Sequence, residues 1–427
     1  MRRDPPLRTP RIAKRWLRVV AVALALASCG RGGEELFDRI EEALMWSAAD
    51  GQFRSRLSGI LDLEAYAFQS PAPGLLPLGG GQLLNPRLTA YLDAQWGTQW
   101  YFFLQSRVDR GFDPARSGTQ VRLDEYALRF TPWKERRLSL QVGKFASVVG
   151  NWIARHESWP NPFITAPLPY ENLTGMWDSE AIGGSGALLK WSHVRPGLPP
   201  AILAIEKALR LPIVWGPAYG VGIALAGEID RFRYALEIKN SAVSSRPSEW
   251  SDTADRWTHP TLSTRLGYRL NEMWNFGFSA SAGPYLRSAA KVTLPPGRGY
   301  GDYRQTVLAH DVSFAWHHLQ LWSEIFASRF EIPGVGQADT LAYFAEAKYK
   351  FGPRFSGALR WNEQFFGQIQ HLGAPTRWGY DLWRIDFAPT WRLSPHAQLK
   401  LQYSLQHGDS APRRHTRTIA GQVTIRF

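Results

Sequence analysis

The chain has 427 residues, 44% of them hydrophobic, with a formal charge of +13 and a mean hydropathy of −0.28. No apolar run approaches the roughly 20 residues that a membrane-spanning helix needs, which excludes a helical membrane protein. Residues 1–29 hold 7 Lys and Arg and 1 Asp, leaving 43 basic against 36 acidic groups, a net of +7, on the rest of the chain. Without a concentrated basic tail, that excess does not suggest a nucleic-acid partner.

The start of the chain reads as an export signal over residues 1–28. Arg2, Arg3, Arg8, Arg11, Lys14, Arg15 and Arg18 form a basic leader, and residues 19–27 (VVAVALALA) form a short apolar run. Two processing patterns overlap here. Ala25-Leu26-Ala27 fits a small-residue cleavage site, and Leu26-Ala27-Ser28-Cys29 looks like the lipobox of bacterial lipoproteins. Cys29 is the only cysteine, which rules out an intramolecular disulfide and makes it the lipidation candidate. Residues 29–52 then form a periplasmic lead-in. In it Leu36, Ile40 and Leu44 stripe one face of a helix expected over residues 35–48.

From residue 53 to 427 the chain repeats about ten alternating residues, a break, ten more and another break. Residues 87–96 and 100–108 flank a small break, as do 219–225 and 232–238, and 341–349 and 355–361. Longer stretches rich in Gly, Pro, Ser and charge separate these pairs at 69–86, 109–119, 241–259, 284–301, 362–380 and 408–415. Period-2 alternation gives each strand one apolar and one polar face. Short breaks alternating with long ones, together with 19 Trp, 15 Tyr and 22 Phe, fit an all-β transmembrane antiparallel β-barrel with short periplasmic turns, longer extracellular loops and aromatic girdles. The segments number about 18 strands, with 16 as the fallback. The hairpin over 262–282 fixes its own register. Only a turn at Asn271-Glu272-Met273 sets Leu270 against Trp274 and keeps apolar residues opposite one another. Residues 187–211 break the pattern at Pro196, Pro199 and Pro200, and 205–209 read as helical.

Function concentrates at residues 121–178. Residues 121–132 (VRLDEYALRFTP) and 138–144 (LSLQVGK) alternate as two strands around a polar break, and residues 151–178 have no period and contain four prolines. A loop this long without secondary structure of its own is usually functional. We expect it to fold into the mouth of the barrel, with Arg155, His156, Glu157 and Glu171 at a constriction. Trp152, Trp159, Phe163, Tyr170 and Trp177 would pin it to the wall or form a stacking track for sugars. The chain ends on residues 422–427 (QVTIRF), apolar at the last, third-last and fifth-last positions.

The strand pair LDEYALRFTP and LSLQVGKF followed by a long loop, over residues 121–150, together with this terminal strand, resembles the substrate-selective porin superfamily of Gram-negative outer membranes. The resemblance implies a 16- or 18-stranded barrel with an inward loop, outer-membrane lipids as surroundings, small hydrophilic solutes as cargo and a homo-oligomer such as a trimer. The loop matches no known selectivity motif, so the solute does not carry over. Alternation assigns Arg107, Arg129, Arg233, Lys239, Arg265, Arg269, Lys348, Arg360, Arg384, Lys400 and Arg426 to the lumen, with Asp109, Glu125, Glu237, Glu346 and Asp386. That cationic excess leads to an expectation of mild anion selectivity. The competing reading is a barrel that sheathes or anchors a partner protein. The sequence carries no phosphate-binding loop and no G-x-S-x-G motif, and its histidines lack ligand spacing, so neither an enzyme nor a cofactor is expected.

Overall fold

The computed structural model describes residues 30–69, 72–77, 81–116, 118–192, 200–250, 257–408 and 415–427. The export signal, Cys29 and the prolines at 196 and 199 lie outside these. A short strand β1 (Met45–Ala48) precedes the first long one, β2 (Phe53–Phe68). There follow β3 (Gln82–Trp96), β4 (Trp100–Asp109), β5 (Gln120–Phe130), β6 (Ser139–Phe145), β7 (Gly220–Ile229), β8 (Phe232–Lys239), β9 (Thr261–Arg269) and β10 (Trp274–Pro284). Next come β11 (Arg304–Trp316), β12 (Leu319–Ile332), β13 (Gly336–Lys350), β14 (Phe355–Phe366), β15 (Gln368–His371), β16 (Ala374–Arg377), β17 (Leu382–Arg392), β18 (Ala397–Gly408) and β19 (His415–Arg426).

Strands β2–β14 and β17–β19 pair antiparallel with their neighbours, and β19 closes on β2, making a barrel of 16 strands rather than 18. Three further strands are too short to cross. β1 and the two strands of the β15–β16 hairpin have four residues each, far short of the roughly 9–11 that a tilted crossing strand needs. Short breaks gather at one end of the barrel and the longer connections at the other, except that residues 333–335 join β12 to β13 tightly at the long-loop end.

The 262–282 hairpin has the expected register. Tyr268 faces Phe276, Leu266 faces Phe278, and the Leu270 amide donates to Trp274 O at 3.1 Å, leaving 271–273 as the turn. Apolar residues such as Leu84, Leu128, Val142, Ile223, Leu266, Leu308, Leu359 and Leu401 stand exposed on the outer face. At the short-turn end, ring pairs Trp100–Phe130, Phe232–Tyr268 and Trp274–Phe314, with centroids 4.5–4.9 Å apart, form an aromatic girdle. This exterior suits lipid, and no helix among the described residues is long and apolar enough to span a membrane.

The lead-in differs from the expectation at its end. Its helix runs over Gly30–Ala43, and Met45–Ala48 leaves it to pair with Phe53–Arg56 of β2. Strand β19 has already ended beside Ile60, so the start of β2 would otherwise be an open edge. Phe37 packs with Val423, Ile425, Leu61, Leu63 and Leu399, and its ring stacks on His396 at 5.3 Å. The terminal Phe427 exchanges backbone hydrogen bonds with Gly59 at 2.8 and 3.0 Å. Its ring fills the space a side chain at residue 59 would need.

Candidate functional site

The connection between β6 and β7, residues 146–219, folds inward. It carries a 3-10 turn at Trp152–Arg155 and helices at Leu168–Glu171, Ser185–Ser192 and Pro200–Leu209. The expected loop, 151–178, lies in its first half. Residues 205–209 are helical as read, within the longer helix Pro200–Leu209.

The first limb descends along β8, β10 and β12. Ser147 Oγ donates to Glu237 Oε1 at 2.7 Å, Gly150 N to Ser279 Oγ at 3.2 Å, and Trp152 N to Glu324 Oε1 at 2.5 Å. Gly150 has φ +86, and a side chain there would collide with the Tyr170 hydroxyl. The tip then crosses the lumen. Lys400 Nζ on β18 donates to Ser158 O and to Asn161 O, the latter at 2.7 Å, and Gln402 Oε1 accepts from Ile164 N at 2.6 Å and Thr165 N at 3.1 Å. Arg360 on β14 donates to both Thr165 oxygens at 3.1 Å. On the way back Leu168 N meets Asn362 Oδ1 at 3.2 Å, Tyr170 Oη donates to Glu324 Oε2 at 2.6 Å, and Glu171 makes a short ion pair with Arg384 on β17.

An apolar contact reinforces this side. Val149, Trp152, Ile153 and Tyr170 pack on Val307, Ala309, Phe326, Ala342 and Phe344, which β11–β13 turn inward. Phe163 is buried with Ala358 and Ala388. Three of the five loop aromatics are therefore wall packing. Trp177 stacks on Trp191 at 3.8 Å, and Trp159 lies beneath the guanidinium groups of Arg392 and Arg426, at 5.0 and 4.2 Å. Toward the long-loop end Lys207 fastens the third loop to residues 72–77 through Ala72 O at 2.8 Å and Leu76 O at 2.5 Å; burial pushes its pKa down to about 7.

The other side of the loop stands off the wall. A cavity of about 220 Å3 separates it from β2–β5, lined by Glu64, Arg87, Arg107 and Arg122 on the wall and by His156, Thr165 and Glu171 on the loop. Every wall arginine here is paired. Arg87 meets Asp62 at 2.9 Å and Glu64 at 2.7 Å, Arg107 meets Asp124 at 3.2 Å, and Arg122 meets Asp109 at 2.8 Å and Asp124 at 2.6 Å. His156 is held by Ile153 O at 2.6 Å and Tyr219 Oη at 2.8 Å, and burial lowers its pKa. It is therefore neutral, with Nδ1 donating to the carbonyl and Nε2 accepting from the hydroxyl.

The four loop residues singled out from sequence all lie within the barrel, but not together. Arg155 ion-pairs with Glu346 at 2.5 Å and lies over Trp322 at 4.4 Å. His156 faces the cavity, Glu157 lies beside Tyr91 on β3, and Glu171 sits opposite on Arg384. The lumen assignments fall on the inner face. Arg129 donates to Gln141 at 2.7 Å, Arg265 pairs with Asp311 at 2.7 Å, Arg269 with Glu228 at 3.6 Å, Arg360 with Glu346 and Asp386, and Arg384 with Asp386. Lys348 lies near Lys350, Arg392 and Arg155.

Sequence reading missed Asp62, Glu64, Arg87, Arg122, Asp124, Asp311 and Glu324 as lumen charges. Asp62, Glu64 and Arg87 were available, since they alternate with Leu61, Leu63 and Leu88. Arg122 and Asp124 were not. A β-bulge sets Gln105 against Glu125 but Ser106 against Leu123, so Asp124 is the extra residue and both Asp124 and Glu125 turn inward. Strict alternation from Glu125 puts Arg122 and Asp124 on the lipid face. With these acids included, the inner wall is closer to balance than the eleven-to-five count suggested.

Neither a family model nor a curated protein matches the sequence. Solved structures match its fold across nearly all of the chain. The trimer form of in-vitro folded OmpT, an outer-membrane protein of Vibrio cholerae, is 9% identical over 88% of this chain and 99% of its own, with a TM-score of 0.53. An anion-selective porin from Comamonas acidovorans is 10% identical over 88% and 100%, TM-score 0.53. The outer-membrane channel DcaP of Acinetobacter baumannii is 9% identical over 90% and 99%, TM-score 0.54. With its closed barrel and apolar belt, the chain has the fold of the Gram-negative outer-membrane porins and belongs in that membrane.

Proposed function

We propose that this chain is a passive channel for small hydrophilic solutes, narrowed by its third loop and mildly selective for anions. One observation carries the reading: the loop is bonded to β8, β10, β12–β14, β17 and β18 yet leaves a charged gap against β2–β5. A loop fixed on one side and open on the other makes a rigid eyelet, because each buried bond would cost free energy to break. Arg155, Glu157 and Glu171 hold the loop's position, and His156 faces the gap. The same loop occupies the volume that a sheathed partner protein would need, which favours the channel over the scaffold. Assembly as a homotrimer is part of the proposal, supported by the structural neighbour described as a trimer.

Planar-bilayer recording of the purified protein tests this. Discrete steps in KCl with a reversal potential on the anion side are expected. Absence of conductance rejects the channel, and a cation-selective potential rejects the selectivity.

A further inference from the structure

We infer that the lead-in helix, Gly30–Ala43, is a membrane-interface element that binds the bilayer leaflet at the short-turn end and prefers lipids with an ammonium head group. This surface lies apart from the lumen and acts whether or not the channel conducts. The helix rests on the outside of the barrel. On β19, Ile419, Val423 and Ile425 alternate with Ala420, Gln422 and Thr424 and point outward. Ile419 is 44% exposed, as a lipid-facing residue is, whereas Val423 is 4% and Ile425 8% exposed. The helix accounts for the difference, because Phe37 packs on Val423, Ile425, Leu61, Leu63 and Leu399. Polar contacts hold it there: Asp38 lies 3.0 Å from His396, and Glu41 3.6 Å from Arg56.

With Phe37 turned to the wall, the helix still carries apolar side chains that the barrel leaves uncovered. Helical spacing sets Leu36, Ile40 and Ala43 on one stripe beside Phe37 and Leu44, with Glu35, Asp38 and Glu42 on the far side. Leu36 is 56% exposed and Trp46, on β1, 58%. Trp46 pairs with Ser55 and so shares the outer face of Phe53. From Phe53 the row continues through Trp96 and Trp100 to Phe130, which is the aromatic girdle. Apolar side chains continuous with a lipid-facing girdle are covered by the same lipid, and a helix with one apolar and one charged face lies flat in that interface. Charge selects the lipid. Glu35, Asp38, Glu41 and Glu42 outweigh Arg39, so the polar face repels acidic head groups and attracts an ammonium. A second copy of the chain would bring the same acidic face and be repelled.

Photocrosslinking of the full-length protein tests this. The photoreactive residue p-benzoylphenylalanine replaces Leu36, Trp46, Glu42 or Leu128 in turn, in vesicles of equal phosphatidylethanolamine and phosphatidylglycerol. Leu128 stands on the exposed apolar belt and gives the reference yield of lipid adduct. Adducts at Leu36 and Trp46 should match that yield, and the adduct should be lost at Glu42. At Leu36 phosphatidylethanolamine should be captured in excess, and at Leu128 both lipids equally. Leu36 and Trp46 are both exposed, so the second site reports if one variant fails to fold. Adducts at Leu128 with none at Leu36 or Trp46 overturn the interface, as does a crosslinked dimer formed through Leu36. Equal capture of the two lipids at Leu36 overturns the head-group preference.

Discussion

Two basic regions share this lumen and are built in opposite ways. Against β2–β5, Arg87, Arg107 and Arg122 stand in a row, but Asp62, Glu64, Asp109 and Asp124 interleave with them at ion-pair distance. Below the loop tip, Lys348, Lys350, Arg354 and Arg392 come together with no carboxylate among them. The first region is rigid and close to neutral, and the second carries an uncompensated field. Counting basic residues in the sequence cannot separate the two, because selectivity depends on which charges remain after local pairing. The proposed anion preference would therefore arise at the inner recess more than at the eyelet.

The comparison presumes a fixed loop, and Arg384 gives the strongest way to break it. Its guanidinium holds Glu171, Ala166 O and Asp386 and is almost fully buried. Arg384→Met leaves the buried Glu171 without its cation and Asp386 with Arg360 alone, a change that costs about 3–5 kcal/mol. Single-channel recordings should show a larger, noisier conductance, and denaturant titration a lower midpoint. Steady parental currents would mean that the loop is held elsewhere.

A smaller effect is expected at the eyelet itself. Arg122→Gln leaves Asp109 without its partner and Asp124 with Arg107 alone. The reversal potential should move toward cations by less than it does in Lys348→Gln, because the charge at the recess is the uncompensated one. The reverse order would place the selectivity filter at the eyelet.

His156 sharpens the same contrast through pH. Burial lowers its pKa below the ordinary 6.5, so the unfolded chain or an opened loop takes up a proton before the closed form does. The stability this neutral imidazole lends to the closed loop is thus present above pH 6.5 and falls as the pH drops below it. The charged groups around it are Glu157, Arg107 and Asp124. Conductance noise should rise between pH 8 and pH 5, and His156→Gln should flatten the change. A profile unaltered in the variant would assign the pH response to another group.

Arg329 and Asp339 mark the low end of the scale. They pair at 2.7 Å on the exposed outer rim, away from both regions. Arg329→Ala should leave conductance, reversal potential and melting unchanged within error, as expected for an exposed ion pair. A shift in selectivity would show that outer-rim charge steers ions, and the two-region account would need a third.

What the sequence determined by itself was local. Alternation of Leu266, Tyr268 and Leu270 with Ser263, Arg265 and Arg269 fixed strand faces and even the three-residue turn at 271–273, because lipid and lumen sit on opposite sides of one strand. The aperiodic, proline-bearing stretch at 151–178 marked the inward loop for the same reason, since no strand could contain it. The tertiary structure decided whatever depended on distant residues meeting. Closure of β19 on β2 set the strand number and reduced β1 to an edge patch. The bulge at Asp124 turned two charges inward through pairing with β4, which no pattern along β5 alone records. Lys400 and Ser158 lie far apart in sequence and meet only because the loop tip descends to the short-turn end. The recess that follows from their meeting, and the division between paired and unpaired cations, exists only once the barrel has closed around its loop.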